Sequence, residues 1–220
     1  MTHYSCLVLD HDDTAVMSTP CIHYPSFCNT LRHLRPAVTL TLPEYVRLNF
    51  DLGFEKLCYD MLHFTKEEMA WQLENWKSYV RQTIPDFHPG MKELILRQKA
   101  EGGLVCVVTH TYSQNVLRDY AHTGLPAPDC VIGWEEGSDK QKPNPWPIHE
   151  IMRRYPVSLK DMLVVDDLKP GFDMARAAGC DFAAALWAYD NEEIRDVLRS
   201  GSRDGYALES VEALSRLLFA

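Results

Sequence analysis

The chain has 220 residues, with 22 Lys or Arg against 31 Asp or Glu, so its formal charge is −9. That length suits one large domain or one domain with a smaller insert, and the 46% apolar, 24% charged composition excludes a disordered or fibrous chain. The acidic balance, without any Lys/Arg cluster, argues against nucleic acid as a partner, and no apolar run approaches the ~18 residues of a membrane helix.

Cys6–Leu9 is a short, continuous apolar run, which predicts a strand buried on both faces of a parallel sheet. The strand–helix alternation then lapses until about residue 88. Inside that stretch Phe54, Leu57, Cys58, Met61 and Leu62 stand at helical spacing, and Met69, Leu73, Trp76 and Val80 repeat the pattern. Thr65 with Glu68 three residues on is a capping box for the second of these helices. Trp71 and Trp76 read as core of this helical insert, Arg47, Lys56, Lys77 and Arg81 as its solvated face, and Pro20 and the Pro85–Pro89 segment as hinges.

Residues 89–101 open with Pro, put Met91, Leu94 and Ile95 on one face and stop at Gly102-Gly103, which predicts a helix. Leu104–Val108 is a second strong strand and Met162–Val165 a third; Cys130–Ile132 and Phe182–Trp187 are weaker ones. Helices are predicted from near Ser113, Pro147, Pro170 and Asn191. A last one runs from the N-cap Ser210 to Phe219, with Val211, Leu214, Leu217 and Leu218 on its apolar face. The expected architecture is therefore α/β: a doubly wound parallel sheet, Rossmann-like, from residues 1–15 and 86–220, interrupted by an all-helical domain at 16–85.

The first residues have no basic region before the carboxylates of the first strand, so no secretory signal is expected. Seven cysteines include no CxxC pair, and Cys6, Cys58, Cys106, Cys130 and Cys180 lie in or beside apolar segments. They read as small buried hydrophobes in a reducing, cytoplasmic setting. Cys21, His23, Cys28 and His33 have no standard zinc spacing.

Each strong strand ends in polar residues of a particular kind. The first ends in Asp10-His11-Asp12-Asp13-Thr14, the second in Thr109-His110-Thr111, the third in Asp166-Asp167. Ligands of open α/β sheets bind at the carboxyl ends of strands, so these groups should converge. Lys142 enters a proline-rich turn between the last two. Several carboxylates brought together repel one another and call for a cation, and hard oxygen donors favour Mg²⁺. A cation beside the Thr109 hydroxyl and the Lys142 ammonium makes a pocket for a phosphoryl group. One carboxylate can act as nucleophile while a second, two residues away, serves as general acid and base.

Four motifs in order, Asp10-x-Asp12-x-Thr14 after a strand, Thr109, Lys142-Pro-Asn-Pro and Asp166-Asp167, resemble the haloacid dehalogenase superfamily in its phosphatase and phosphomutase branch. The resemblance runs from residue 5 to about 187. It implies that Asp10 is nucleophile and Mg²⁺ ligand, and that Asp12 is general acid/base with its carbonyl on the metal. Thr109 and Lys142 would bind the phosphoryl group and are also counted as catalytic; His110 beside Thr109, a substrate-binding candidate, and His11 beside Asp10 either reach the substrate or are only backbone neighbours. Asp166 and Asp167 would complete the metal site, Asp167 directly and Asp166 directly or through water. The insert would be a helical (C1-type) cap. The activity implied is a Mg²⁺-dependent phosphoric monoester hydrolase, phosphoglycolate-phosphatase-like, acting on a small phosphorylated metabolite as a monomer or weak homodimer.

A sugar phosphomutase uses the same two aspartates and is the alternative enzyme reading; a phosphate- or metal-binding module without turnover is the non-enzyme one. Dehalogenation does not use a second acid, and Asp12 is present. A signalling receiver carries its acidic pair early in the chain, whereas here it comes last. Two departures from the family pattern stand out. Asp13 replaces a common Gly, and Gly171 occupies a position where relatives carry a further acid.

Overall fold

A computed structural model describes residues 2–202 and 205–220. Among the described residues, six strands form one sheet: β1 (Cys6–Leu9), β2 (Leu104–Val108), β3 (Cys130–Ile132), β4 (Met162–Asp166), β5 (Asp181–Ala185) and β6 (Tyr206–Leu208). Their order is β3-β2-β1-β4-β5-β6 and all the pairings are parallel. This is the doubly wound α/β arrangement expected from the alternating pattern, with β1 at the point where the winding reverses.

The chain divides into two compact units, one of Met1–Met17 with Asp86–Ala220 and one of Ser18–Pro85. The boundary falls at Met17 because the chain is still paired there. Val16 bridges to Phe87, Met17 N–H donates to the Asp86 carbonyl at 2.8 Å, and His88 N–H donates to that of Ala15 at 3.0 Å.

The Ser18–Pro85 unit is helical: α1 (Tyr24–Leu34), α2 (Leu42–Leu52), α3 (Phe54–Lys56) and α4 (Lys66–Gln82). Wider π-helical turns at Thr19–His23 and Leu57–Met61 precede α1 and follow α3. Helices α1 and α2 lie outside the two helices read from the sequence. The capping box at Thr65 and Glu68 forms, and Thr41 with Glu44 makes a second one at the start of α2. Phe27, Leu31, Tyr45, Leu57, Cys58, Leu62 and Phe64 make this unit's core.

The tryptophan stripe is not that core. Trp71, Leu73 and Met61 are exposed, at 36%, 38% and 46%. The reasons are local. The π turn carries Met61 out of the phase of Leu57 and Leu62, and α4 turns polar groups towards α1. Asn75 donates to the Ser26 carbonyl and the Thr30 hydroxyl and accepts from Asn29. Trp71 instead stacks on His33, and Trp76 donates to His23 Nδ1 at 3.0 Å.

In the other unit, the helices are α5 (Met91–Ala100), α6 (Ser113–His122), α7 (Trp146–Arg154), α8 (Lys169–Ala178), α9 (Glu192–Gly201) and α10 (Val211–Phe219). Alternate strand residues feed two cores. Leu7, Leu9, Val107 and Val165 meet α5, α6 and α10 through Ile95, Val116 and Leu214. Val8, Val108 and Val164 meet α7 and α8 through Ile151 and Met174. Each buried Val or Leu contributes roughly 1.5–3 kcal/mol. The predicted strand at Phe182–Trp187 starts one residue earlier and ends at Ala185, where a 3₁₀ turn, Leu186–Ala188, takes over. Of the five cysteines read as buried, Cys6, Cys58, Cys106 and Cys130 are, while Cys180 is half-buried.

Candidate active site

The register of the central strands aligns Leu9 with Val107 on one side and with Val165 on the other, so the chain leaves β1, β2 and β4 at one level. Asp10 follows β1, Thr109 follows β2, Asp166 ends β4 and Asp167 follows it. Asp10 N–H donates to the Val165 carbonyl at 2.9 Å, which ties the loop after β1 to the acidic pair.

Asp10, Asp166 and Asp167 are all buried and each offers an oxygen within 4.8 Å of the others. The Lys142 ammonium lies between two of them, 2.8 Å from Asp10 Oδ1 and 2.6 Å from Asp166 Oδ2. Burial works against a charge on Lys142, but Asp10 and Asp166 override it and hold its pKa above the ordinary value. Burial pushes the Asp166 carboxyl up to about 6, opposed by Lys142 and reinforced by Asp10. Asp167 is raised well above the usual range by burial, then by repulsion from Asp166 and Asp10. Three buried acids sharing one ammonium are under-compensated. That, and their all-oxygen donor set, fits a hard divalent cation.

Thr109 is buried, and its hydroxyl accepts from Thr111 N–H at 3.2 Å, which leaves the hydroxyl proton to donate. His110, by contrast, is exposed as a residue, although its Nε2 donates to the Lys142 carbonyl at 3.1 Å. Burial of the ring and the nearby Lys142 ammonium lower its pKa, so at neutral pH it is an uncharged donor. Asp12 is half-buried and its carboxylate stands outside the group of three. His11 turns away from the acids: Nε2 donates to Asp119 at 3.1 Å and the ring lies against Tyr120 and Phe87.

Both departures from the usual pattern have a physical account. Asp13 adopts φ +60°, the left-handed conformation that glycine takes easily and Asp tolerates better than most residues. His88 Nε2 donates to its carbonyl at 2.7 Å and helps to hold it there. At Gly171, on α8, a Cβ would stand 2.2 Å from Asp166 Oδ2. A third acid at that position is thus sterically incompatible with the orientation in which Asp166 meets Lys142.

Two residues to which the sequence assigns no role hold Asp167 in place. Asp167 accepts from the Thr14 hydroxyl at 2.8 Å through Oδ1 and from the Tyr189 hydroxyl at 2.7 Å through Oδ2. Thr14 was visible as the end of the first motif, whereas nothing in the local pattern marks Tyr189.

Residues 7–185 match the model of a family described as haloacid dehalogenase-like hydrolase. The chain belongs to the haloacid dehalogenase-like hydrolase family. Among curated proteins, it is 27% identical over 133 residues to a phosphoglycolate phosphatase of Mesorhizobium japonicum, covering 60% of this chain and 59% of that one. It is 30% identical over 113 residues to a phosphoglycolate phosphatase of Aliivibrio fischeri, covering 50% of this chain and 48% of that one. The matched segments thus span about half the length of these curated relatives. Among solved structures, a haloacid dehalogenase-like family hydrolase from Streptococcus pneumoniae superposes with a TM-score of 0.73 at 17% identity, covering 97% of this chain and 98% of that one. At that identity the likeness establishes the fold alone. Among the described residues, no helix is long and apolar enough to cross a membrane.

Proposed function

We propose that this family member is a Mg²⁺-dependent phosphatase that hydrolyses a small phosphorylated metabolite through an aspartyl-phosphate on Asp10. The observation that carries the reading is the Lys142 ammonium held between buried Asp10 and Asp166, with Asp167 alongside. Asp10 has one oxygen on Lys142, which orients its carboxylate for attack on phosphorus. The phosphorus–oxygen bond to the leaving group then breaks, and Asp12 gives that oxygen its proton. Lys142 and the Thr109 hydroxyl hold the phosphoryl oxygens, while neutral His110 commits its one N–H to the Lys142 carbonyl and so steadies Lys142 rather than donating to the phosphate. Asp12, now ionised, takes a proton from water as the water attacks phosphorus, and inorganic phosphate leaves a free Asp10.

Asp10, Asp166, Asp167 and the Asp12 carbonyl would hold the cation. When bound, Mg²⁺ supplies the positive charge that lets Asp10 approach a phosphate dianion. The helical Ser18–Pro85 unit would serve as the cap that excludes water and selects the leaving group. Phosphoglycolate is the first candidate substrate, because both curated relatives carry that name. Seven free cysteines support work in a reducing, cytoplasmic setting.

Phosphate release across a panel of phosphate monoesters, with Mg²⁺ and with EDTA, tests the reading. Mg²⁺-dependent release from at least one small ester is the expected result, and no release from any would overturn it. The pH dependence of metal binding is a second expectation. An acid raised on folding takes up protons, so Asp166 destabilises the metal-free chain increasingly as pH rises from about 4 through about 6, and Asp167, also raised, acts in the same direction. Mg²⁺ competes with those protons. The gain in melting temperature on adding Mg²⁺ should therefore be small at pH 5 and larger at pH 7.5; equal gains would contradict the assignment.

A further inference from the structure

The chain after β5 makes two contacts that the motifs do not account for. The 3₁₀ turn Leu186–Ala188 is anchored by Leu186, which is fully buried, and Tyr189 N–H closes it on the Leu186 carbonyl at 3.2 Å. From this short turn the Trp187 indole donates to the Thr14 carbonyl at 2.9 Å, and the Tyr189 hydroxyl donates to Asp167 Oδ2 at 2.7 Å. The other oxygen of Asp167 accepts from the Thr14 hydroxyl. One turn therefore grips both the last acid of the site and the residue that fixes that acid's second oxygen.

We propose that Tyr189, supported by Trp187, is a positioning residue for the cation site, setting the orientation of the Asp167 carboxylate from behind. The proposal rests on the metal-site reading above and deepens it. A carboxylate with a fixed donor on each oxygen cannot swing about its χ2 torsion, so its remaining lone pairs point in set directions. Such outer partners of ligating groups typically govern metal affinity by about 10–100-fold. The polarity of the contact is also fixed. Burial and then the Asp167 charge hold the Tyr189 hydroxyl well above its ordinary pKa, so it stays a donor. The parallel pairing of β4 with β5, Asp166 opposite Ala184, is what brings the turn alongside the acidic pair.

The test is calorimetric titration of the full chain with Mg²⁺, which needs no substrate. Tyr189→Phe keeps the ring and removes only the hydroxyl; its Mg²⁺ affinity should fall about 10-fold or more. The melting temperature of the metal-free protein is measured alongside, because a purely structural role would lower it and leave the affinity unmoved. Trp187→Phe, which removes the bond to the Thr14 carbonyl, is the second variant and should weaken binding several-fold. Wild-type affinity in folded Tyr189→Phe, or in Trp187→Phe should the first not fold, overturns the proposal. Absence of saturable Mg²⁺ binding by the wild-type chain would instead overturn the metal-site reading itself.

Discussion

Asp10→Asn is expected to abolish phosphate release, by roughly 10⁴-fold or more, because the amide cannot form the covalent intermediate. Folding should survive the change. The substituted side chain has the same shape, and Lys142 keeps Asp166 as an ionic partner at 2.6 Å. One of three mutually repelling buried acids is also removed. The measurement is single-turnover phosphate release with the best substrate of the ester panel, beside a melting curve. Turnover near the wild-type rate in a folded Asp10→Asn protein would sink the assignment of the nucleophile and, with it, the aspartyl-phosphate route.

Lys142→Met carries the second large effect, this time on stability as well as rate. Lys142 is only 7% exposed and bonds two buried carboxylates. Removing one partner of such a group leaves uncompensated charge in the interior, which costs about 3–5 kcal/mol. Methionine fills the same volume without the charge, so the loss isolates electrostatics from packing. At pH 7.5 the metal-free variant should unfold at clearly lower urea, and Mg²⁺ should restore more of its stability than it adds to the wild type. Phosphate release should fall by about 10²–10³-fold even when the variant is folded and loaded, since nothing replaces the ammonium on the phosphoryl oxygens. A metal-free variant as stable as the wild type would show that the three acids do not depend on Lys142.

The elements differ in how plainly the sequence marks them. The strands at Cys6–Leu9, Leu104–Val108 and Met162–Val165 announce themselves because both faces are covered, so every position in these runs is apolar. The acids at their ends follow from the same fact, since a run that stops in Asp or Thr marks the strand's carboxyl end. Strand β6 escapes notice: three half-buried residues at a sheet edge leave no run to read. In the insert, the second capping box at Thr41 and Glu44 carries the same signature as that at Thr65 and Glu68, and it could have revealed α2. Helix α1 offers less, because its buried set includes Ser26 and Thr30 beside Phe27 and Leu31. Helix α4 misleads for a related reason: Gln72 and Asn75 do the inward work that periodicity assigned to Leu73. Tyr189 lies 22 residues beyond Asp167, and only the pairing of β4 with β5 makes them neighbours.

The paired crossings at Ala15–Met17 and Asp86–His88 have a consequence for how such a protein can change over time. The core seals itself across the point where the chain departs, with hydrogen bonds that do not involve the segment in between. The closure of the sheet unit at this point therefore does not call on the length or make-up of Ser18–Pro85. That stretch can lengthen, shrink or be exchanged while the strand pairing of the other unit closes in the same way, so the two units are free to answer to different selective pressures.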